Sequence, residues 1–167
     1  IAIFILSIAS AHDATITITA YDGESLEVYM TNSVPIAGFQ MDFTSTFEGF
    51  SIGDVSGGSA VEAGFMTTGG GVTVLGFSLT GATIPAGEGA LFYLDVYFSG
   101  DEGSFQVEDV ILSDAGGTSL NVEVGPAFEI GGSDDEPYFV VDLESTGVNQ
   151  LVIFQETITG LEVGDEI

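Results

Sequence analysis

The chain has 167 residues, 45% of them hydrophobic, with 13 Phe and 24 Gly: enough apolar material for one full core and part of a second module. It carries 26 acidic residues and no Lys or Arg, a net charge of −26. With no cation to neutralise phosphates or meet anionic lipid, nucleic-acid and membrane-surface partners are excluded. The absence of Cys removes disulfides, thiolate zinc sites and a thiol nucleophile together.

Residues 1–11, IAIFILSIASA, form an apolar run ending in Ala9-Ser10-Ala11. An apolar segment before an A-x-A site is a signal-peptide signature. It is too short for a bilayer-spanning helix, which needs ~20 apolar residues. The initiator Met and basic flank are missing, so the reading is a truncated signal peptide. The mature protein would begin near His12, exported and without membrane insertion. A strand over Ile1 to Ile8 is the other reading.

Ala14 to Ala20, ATITITA, alternates as a half-buried strand does. Tyr21-Asp22-Gly23-Glu24 is a turn with an Asp-Gly hairpin signal, and Ser25 to Thr31 returns as the partner strand. Val34 to Phe43, VPIAGFQMDF, is the first central strand, entered through Pro35. Its apolar positions, Ile36, Phe39, Met41 and Phe43, change phase around Gly38, which predicts a bulge or a close backbone approach. Gly49 to Val55 is a shorter strand. Ser56 to Gly71 is loop-rich, with a short central piece at Ala63 to Met66. Val72 to Leu79 is a strong strand with a central Gly76, and Gly81 to Gly89 is a turn containing Pro85-Ala86-Gly87.

Ala90 to Phe98, ALFYLDVYF, is the most apolar strand. Phe92, Leu94, Val96 and Phe98 are assigned to the core; Leu91, Tyr93, Asp95 and Tyr97 point outward. Asp101-Glu102 marks the next turn. Ser104 to Leu112 and Ser119 to Val124 are the last two strands, joined by Asp114-Ala115-Gly116-Gly117. Strands about ten residues apart with turn signals between them define a sandwich or barrel. No stretch holds a helical period over more than two turns. The expectation is an all-β antiparallel β-sandwich over residues 12–131. An acidic linker follows at 132–137, then an incomplete second β module at 138–167, with strands at Tyr138 to Leu143 and Gln150 to Gln155.

Three segments together resemble a cohesin-type domain, the β-sandwich module of secreted bacterial scaffoldins: VPIAGFQMDF at 34–43, GVTVLGFSLTGATIPAGEGALFYLDVYF at 71–98 and VEDVILSDAGGTSLNVEVGPAFEIG at 107–131. The resemblance covers residues 14–131 and implies a jelly-roll sandwich that binds a protein partner. Family members usually carry Tyr-Asp-Pro after the third strand; here Thr44-Ser45-Thr46-Phe47-Glu48 stands in that place. No interface residue is therefore carried over.

The available chemistry points away from catalysis. Nucleophile–base catalysis needs a base, and the only His, His12, sits beside the cleavage signature. Lys chemistry is absent. Asp95 is a candidate for carboxylate glycoside hydrolysis, but it points outward and no second acid has a fixed relation to it. Tyr93, Asp95 and Tyr97 together form a candidate ligand surface: aromatics on a sheet face stack on sugars while a carboxylate accepts hydroxyl hydrogen bonds. Asp134, Asp135 and Glu136 are the candidate calcium cluster, with Asp101-Glu102 a weaker one; solvated linker acids are the plainer reading. No motif requires a cofactor. The expected function is a non-catalytic extracellular module for protein binding or display within a larger secreted or cell-surface protein. The alternative is a carbohydrate-binding module of a secreted polysaccharide-degrading protein.

Overall fold

A computed structural model describes residues 12–131. The acidic triplet Asp134, Asp135 and Glu136, the run 1–11 and the segment 138–167 lie outside the described residues.

Alternation builds the first hairpin. In β1 (Ala14–Tyr21), Ala14, Ile16 and Ile18 are buried; β2 (Ser25–Asn32) buries Leu26, Val28 and Met30. The turn between them is an Asx turn. Asp22 Oδ1 accepts the Glu24 N–H at 3.0 Å and the Ser25 N–H at 2.8 Å, and Gly23 takes φ 105°. These backbone donors hold the Asp22 carboxyl below the usual carboxylate range. Beside it, burial and then the charges of Asp22 and Glu24 raise the Tyr21 phenol.

Ile36 forms an isolated bridge with Ile84 before β3 (Gly38–Ser45), which buries Phe39, Met41 and Phe43. The phase change expected at Gly38 is therefore present. β4 (Glu48–Ser56) leads into α1 (Gly58–Glu62), a single turn of helix, and then β5 (Met66–Gly70) and β6 (Thr73–Phe77). β7 (Gly87–Ser99) and β8 (Gly103–Ser113) are the longest strands; β9 (Val122–Val124) and β10 (Phe128–Ile130) are short.

The strands form two five-stranded sheets, β4-β7-β2-β1-β9 and β10-β8-β3-β6-β5. Every ladder is antiparallel except β1 with β9, which is parallel. The sheets face each other over two groups of aromatic rings. Phe39 stacks on Phe65 and Phe92, at 6.1 and 5.5 Å between centroids. Elsewhere in the core Phe105 gathers Phe47, Phe50, Phe98 and Tyr21. Gly76 lies directly opposite Phe39, and a methyl group there would overlap the Phe39 ring. Glycine is thus required at the centre of β6 because an aromatic ring occupies the volume of its side chain.

Several expectations change. Leu91, assigned outward, is fully buried. The β2–β7 register slips between Val28, opposite Phe92, and Tyr29, opposite Ala90, so Leu91 is an extra residue in a bulge. The region 56–71 holds α1 and β5 in place of a loop with a central piece. The turn Asp114 to Gly117 is present, with Asp114 Oδ1 accepting the N–H groups of Gly116 and Thr118 at 2.8 Å. It does not join a hairpin, however: β8 and β9 lie in different sheets. β10 is an additional strand against β8.

Candidate interaction surface

The two outer faces of the sandwich differ in chemistry. On the β10-β8-β3-β6-β5 sheet, Gln40 lies opposite both Leu75 and Ile111, and Gly38 opposite Phe77, which in turn faces Met66. Leu75, Phe77, Ile111 and Met66 are 40–53% exposed, and Leu79, just past β6, is 77% exposed. They form an apolar field around the side-chain-free Gly38. Below this field Asp42 lies opposite Thr73 and Glu108, and Thr73 Oγ1 donates to Asp42 Oδ1 at 2.6 Å. Asp109 follows in a bulge at φ 47°, left-handed for a residue with a side chain. The face is thus apolar at its centre and acidic at one end.

Sequence reasoning missed this field. The signal was there: in β6 Val74 points inward while Leu75 and Phe77 are also apolar, so the strand is hydrophobic on both faces. In a two-layer sandwich one of those faces has nothing to pack against.

The outer face of the β4-β7-β2-β1-β9 sheet is polar and aromatic. Tyr93 and Tyr97 point outward as expected, 37% and 61% exposed, with Asp95 half-buried between them. Ser25 Oγ donates to Asp95 Oδ1 at 2.7 Å, and Asp95 lies directly across from Ser25. A shallow hollow of about 300 Å³ adjoins Asp95 and Tyr97, walled by Gly23 and Glu24. The structure therefore brings the three sequence-selected residues onto one face.

His12 Nδ1 stands 3.1 Å from Glu123 Oε2 at the surface, with Glu123 58% exposed, so any attraction there is weak. A second hollow, about 430 Å³, opens between α1 and the 83–89 segment over Met30 and Ile84, with Glu62 and Glu88 at its walls. Among the described residues no three His, Cys, Asp or Glu side chains converge as a metal site requires. No helix among them is long and apolar enough to cross a membrane.

No family model and no curated protein matches the chain. Solved structures do match. A non-cellulosomal cohesin from Archaeoglobus fulgidus superposes with TM-score 0.53 at 16% identity, over 74% of this chain and 95% of that one. A type I cohesin–dockerin complex from Clostridium thermocellum gives TM-score 0.53 at 12% identity, over 71% and 92%. The third cohesin of ScaC, in complex with the ScaB dockerin from Acetivibrio cellulolyticus, gives 0.53 at 17%, over 70% and 96%. The fold is that of a cohesin module, a β-sandwich of jelly-roll type.

Proposed function

We propose that this domain is a non-catalytic protein-interaction module that docks a dockerin-like partner on the outer face of β8, β3, β6 and β5. The observation that carries the reading is the exposed field of Leu75, Phe77, Ile111 and Met66 on a sheet face. Exposed apolar side chains in one contiguous patch are the mark of a protein partner site. Two of the three matched structures named above are cohesins bound to dockerins, which supports the choice of partner class. The partner has to bring its own cations to Asp42, Glu108 and Asp109, because this chain has none.

The Ala9-Ser10-Ala11 signature supports export, and with it a place in an extracellular or cell-surface multidomain protein. Calcium at Asp134, Asp135 and Glu136 would stiffen the acidic linker; it enters the proposal as a local structural ion, with no part in docking.

The test is titration calorimetry of the 167-residue chain against dockerin modules encoded in the same genome. Binding by at least one, lost in Leu75→Asp and in Ile111→Asp with the melting temperature unchanged, is the expected result. Binding by none, or binding that both variants retain, overturns the proposal.

A further inference from the structure

Tyrosine is the theme of the opposite sheet. Tyr29 lies across from Ala90, Tyr93 across from Glu27, and Tyr97 across from Ser51. The three phenols therefore run along the axis of β7 on one outer face. Tyr93 and Tyr97 are four residues apart, roughly 13 Å at ~3.3 Å per residue, a span longer than one pyranose ring.

Glycine stands beneath both exposed rings, Gly53 in β4 and Gly57 just past its end. A Cβ at Gly53 would lie 2.9 Å from Cε2 and 3.1 Å from Oη of Tyr97; one at Gly57 would lie 2.8 Å from Cδ2 of Tyr93. The outer atoms of the Tyr97 ring thus lie against the backbone of β4, and the Tyr93 ring lies against Gly57, just past the end of β4. A ring that leans across a neighbouring strand turns a flat face to solvent, where an upright ring offers only its edge.

Two anchored carboxylates stand beside the rings, Asp95 between Tyr93 and Tyr97 and Glu27 directly across from Tyr93. Thr19 Oγ1 donates to Glu27 Oε1 at 2.6 Å, and Ser25 Oγ to Asp95 Oδ1 at 2.7 Å. Each carboxylate is fixed through one oxygen and keeps a second as an acceptor. An ionised carboxylate accepts hydrogen bonds and donates none. The matching ligand presents a flat C–H face to the rings and hydroxyl donors to the carboxylates. Net charge sets the last condition: at −26, with no Lys or Arg, the surface repels any polyanion.

We propose that the outer face of β4, β7 and β2 is a second binding surface, for an uncharged polysaccharide. It is separate from the apolar docking face, so the domain would hold a protein partner on one sheet and glycan on the other.

Native affinity electrophoresis of the full chain tests this with hydroxyethylcellulose, arabinoxylan and galactomannan as neutral probes and polygalacturonate as the charged one. The expected result is retardation by at least one neutral polymer and none by polygalacturonate. Tyr93→Ala with Tyr97→Ala weakens that retardation at least tenfold. Phe at both positions, which keeps the rings, retains it. Gly53→Ala, which leaves every tyrosine in the sequence but crowds both the Tyr97 ring and Asp95, weakens it. Leu75→Asp leaves it unchanged, which separates this site from the docking face. Retardation by no neutral polymer, or equal retardation of the double Ala variant, overturns the proposal. Migration that responds to Leu75→Asp and not to the tyrosines overturns it as well.

Discussion

At the scale of single residues, the chain uses glycine as volume. Gly76 is needed for the space it leaves to the Phe39 ring, which also stacks on Phe65 and Phe92. Gly76→Ala displaces that ring from a packed stack, and overpacking of this kind costs about 1–3 kcal/mol. Denaturant unfolding measures it; a loss under ~0.5 kcal/mol would mean that Phe39 has room to move. The sequence marked Gly76 as an interruption in a strong strand. It did not name Phe39 as the cause, because cross-strand register depends on pairing that local pattern does not encode.

Asp22 gives a second prediction at this scale. Its carboxylate accepts the N–H groups of Glu24 and Ser25, so its charged form is favoured in the folded hairpin and its folded pKa is lowered. The turn is therefore supported at neutral pH and loses that support as pH falls through the lowered folded value. The amide proton shifts of Glu24 and Ser25 should titrate with a midpoint below the ordinary aspartate value, and Asp22→Asn should flatten them. A midpoint at or above that value contradicts the turn geometry.

At the scale of elements, legibility follows length and regularity. β1, β2 and β3 were readable because each carries three buried apolar residues at alternate positions, which leave one consistent face. β10 is three residues and α1 five, both shorter than any period that a sequence window resolves. Leu91 failed for a different reason: it belongs to a bulge, which shifts the inward and outward phases by one. The helix that was missed docks on that same stretch. Gly58, at φ 65°, sits so close to the Leu91 carbonyl that a side chain there would overlap it. Gly64, at φ 74°, has open space around the same position. Gly64→Ala should thus cost only the left-handed strain of about 1–2 kcal/mol. Gly58→Ala adds the loss of helix docking and should cost clearly more. Equal losses in calorimetric melts would show that α1 is not held by its approach to β7.

The candidate surfaces divide along the same line. Tyr93, Asp95 and Tyr97 were legible because they lie past the Leu91 bulge, in a stretch of β7 that keeps its alternation. The field of Leu75, Phe77, Ile111 and Met66 assembles from the β5–β6 hairpin and from β8, far along the chain, with β3 between them. Its membership is a property of sheet order, β8-β3-β6-β5, and sheet order came only from the fold.

At the scale of the whole molecule, charge dominates. Twenty-six carboxylates without a single Lys or Arg leave burial and backbone hydrogen bonds to hold the fold against self-repulsion. The strain is visible locally where Asp42 and Glu108 face each other across β3 and β8, a like-charge cross-strand pair. Monovalent salt relieves it by shortening the Debye length from ~30 Å at 0.01 M to ~10 Å at 0.1 M and ~3 Å at 1 M. The melting temperature should therefore climb steeply below about 0.1 M NaCl and flatten above it, since screening beyond neighbouring charges is then largely complete. A rise that stays linear into the molar range would instead be the signature of salt excluded from the surface. Glu108→Gln separates the two: it should raise the melting temperature at 0.01 M and leave it unchanged at 1 M, because the repulsion it removes is already screened there. A flat melting temperature across the whole range would mean that the acids are spaced too widely to feel one another. The opposed Asp42 and Glu108 argue against that outcome.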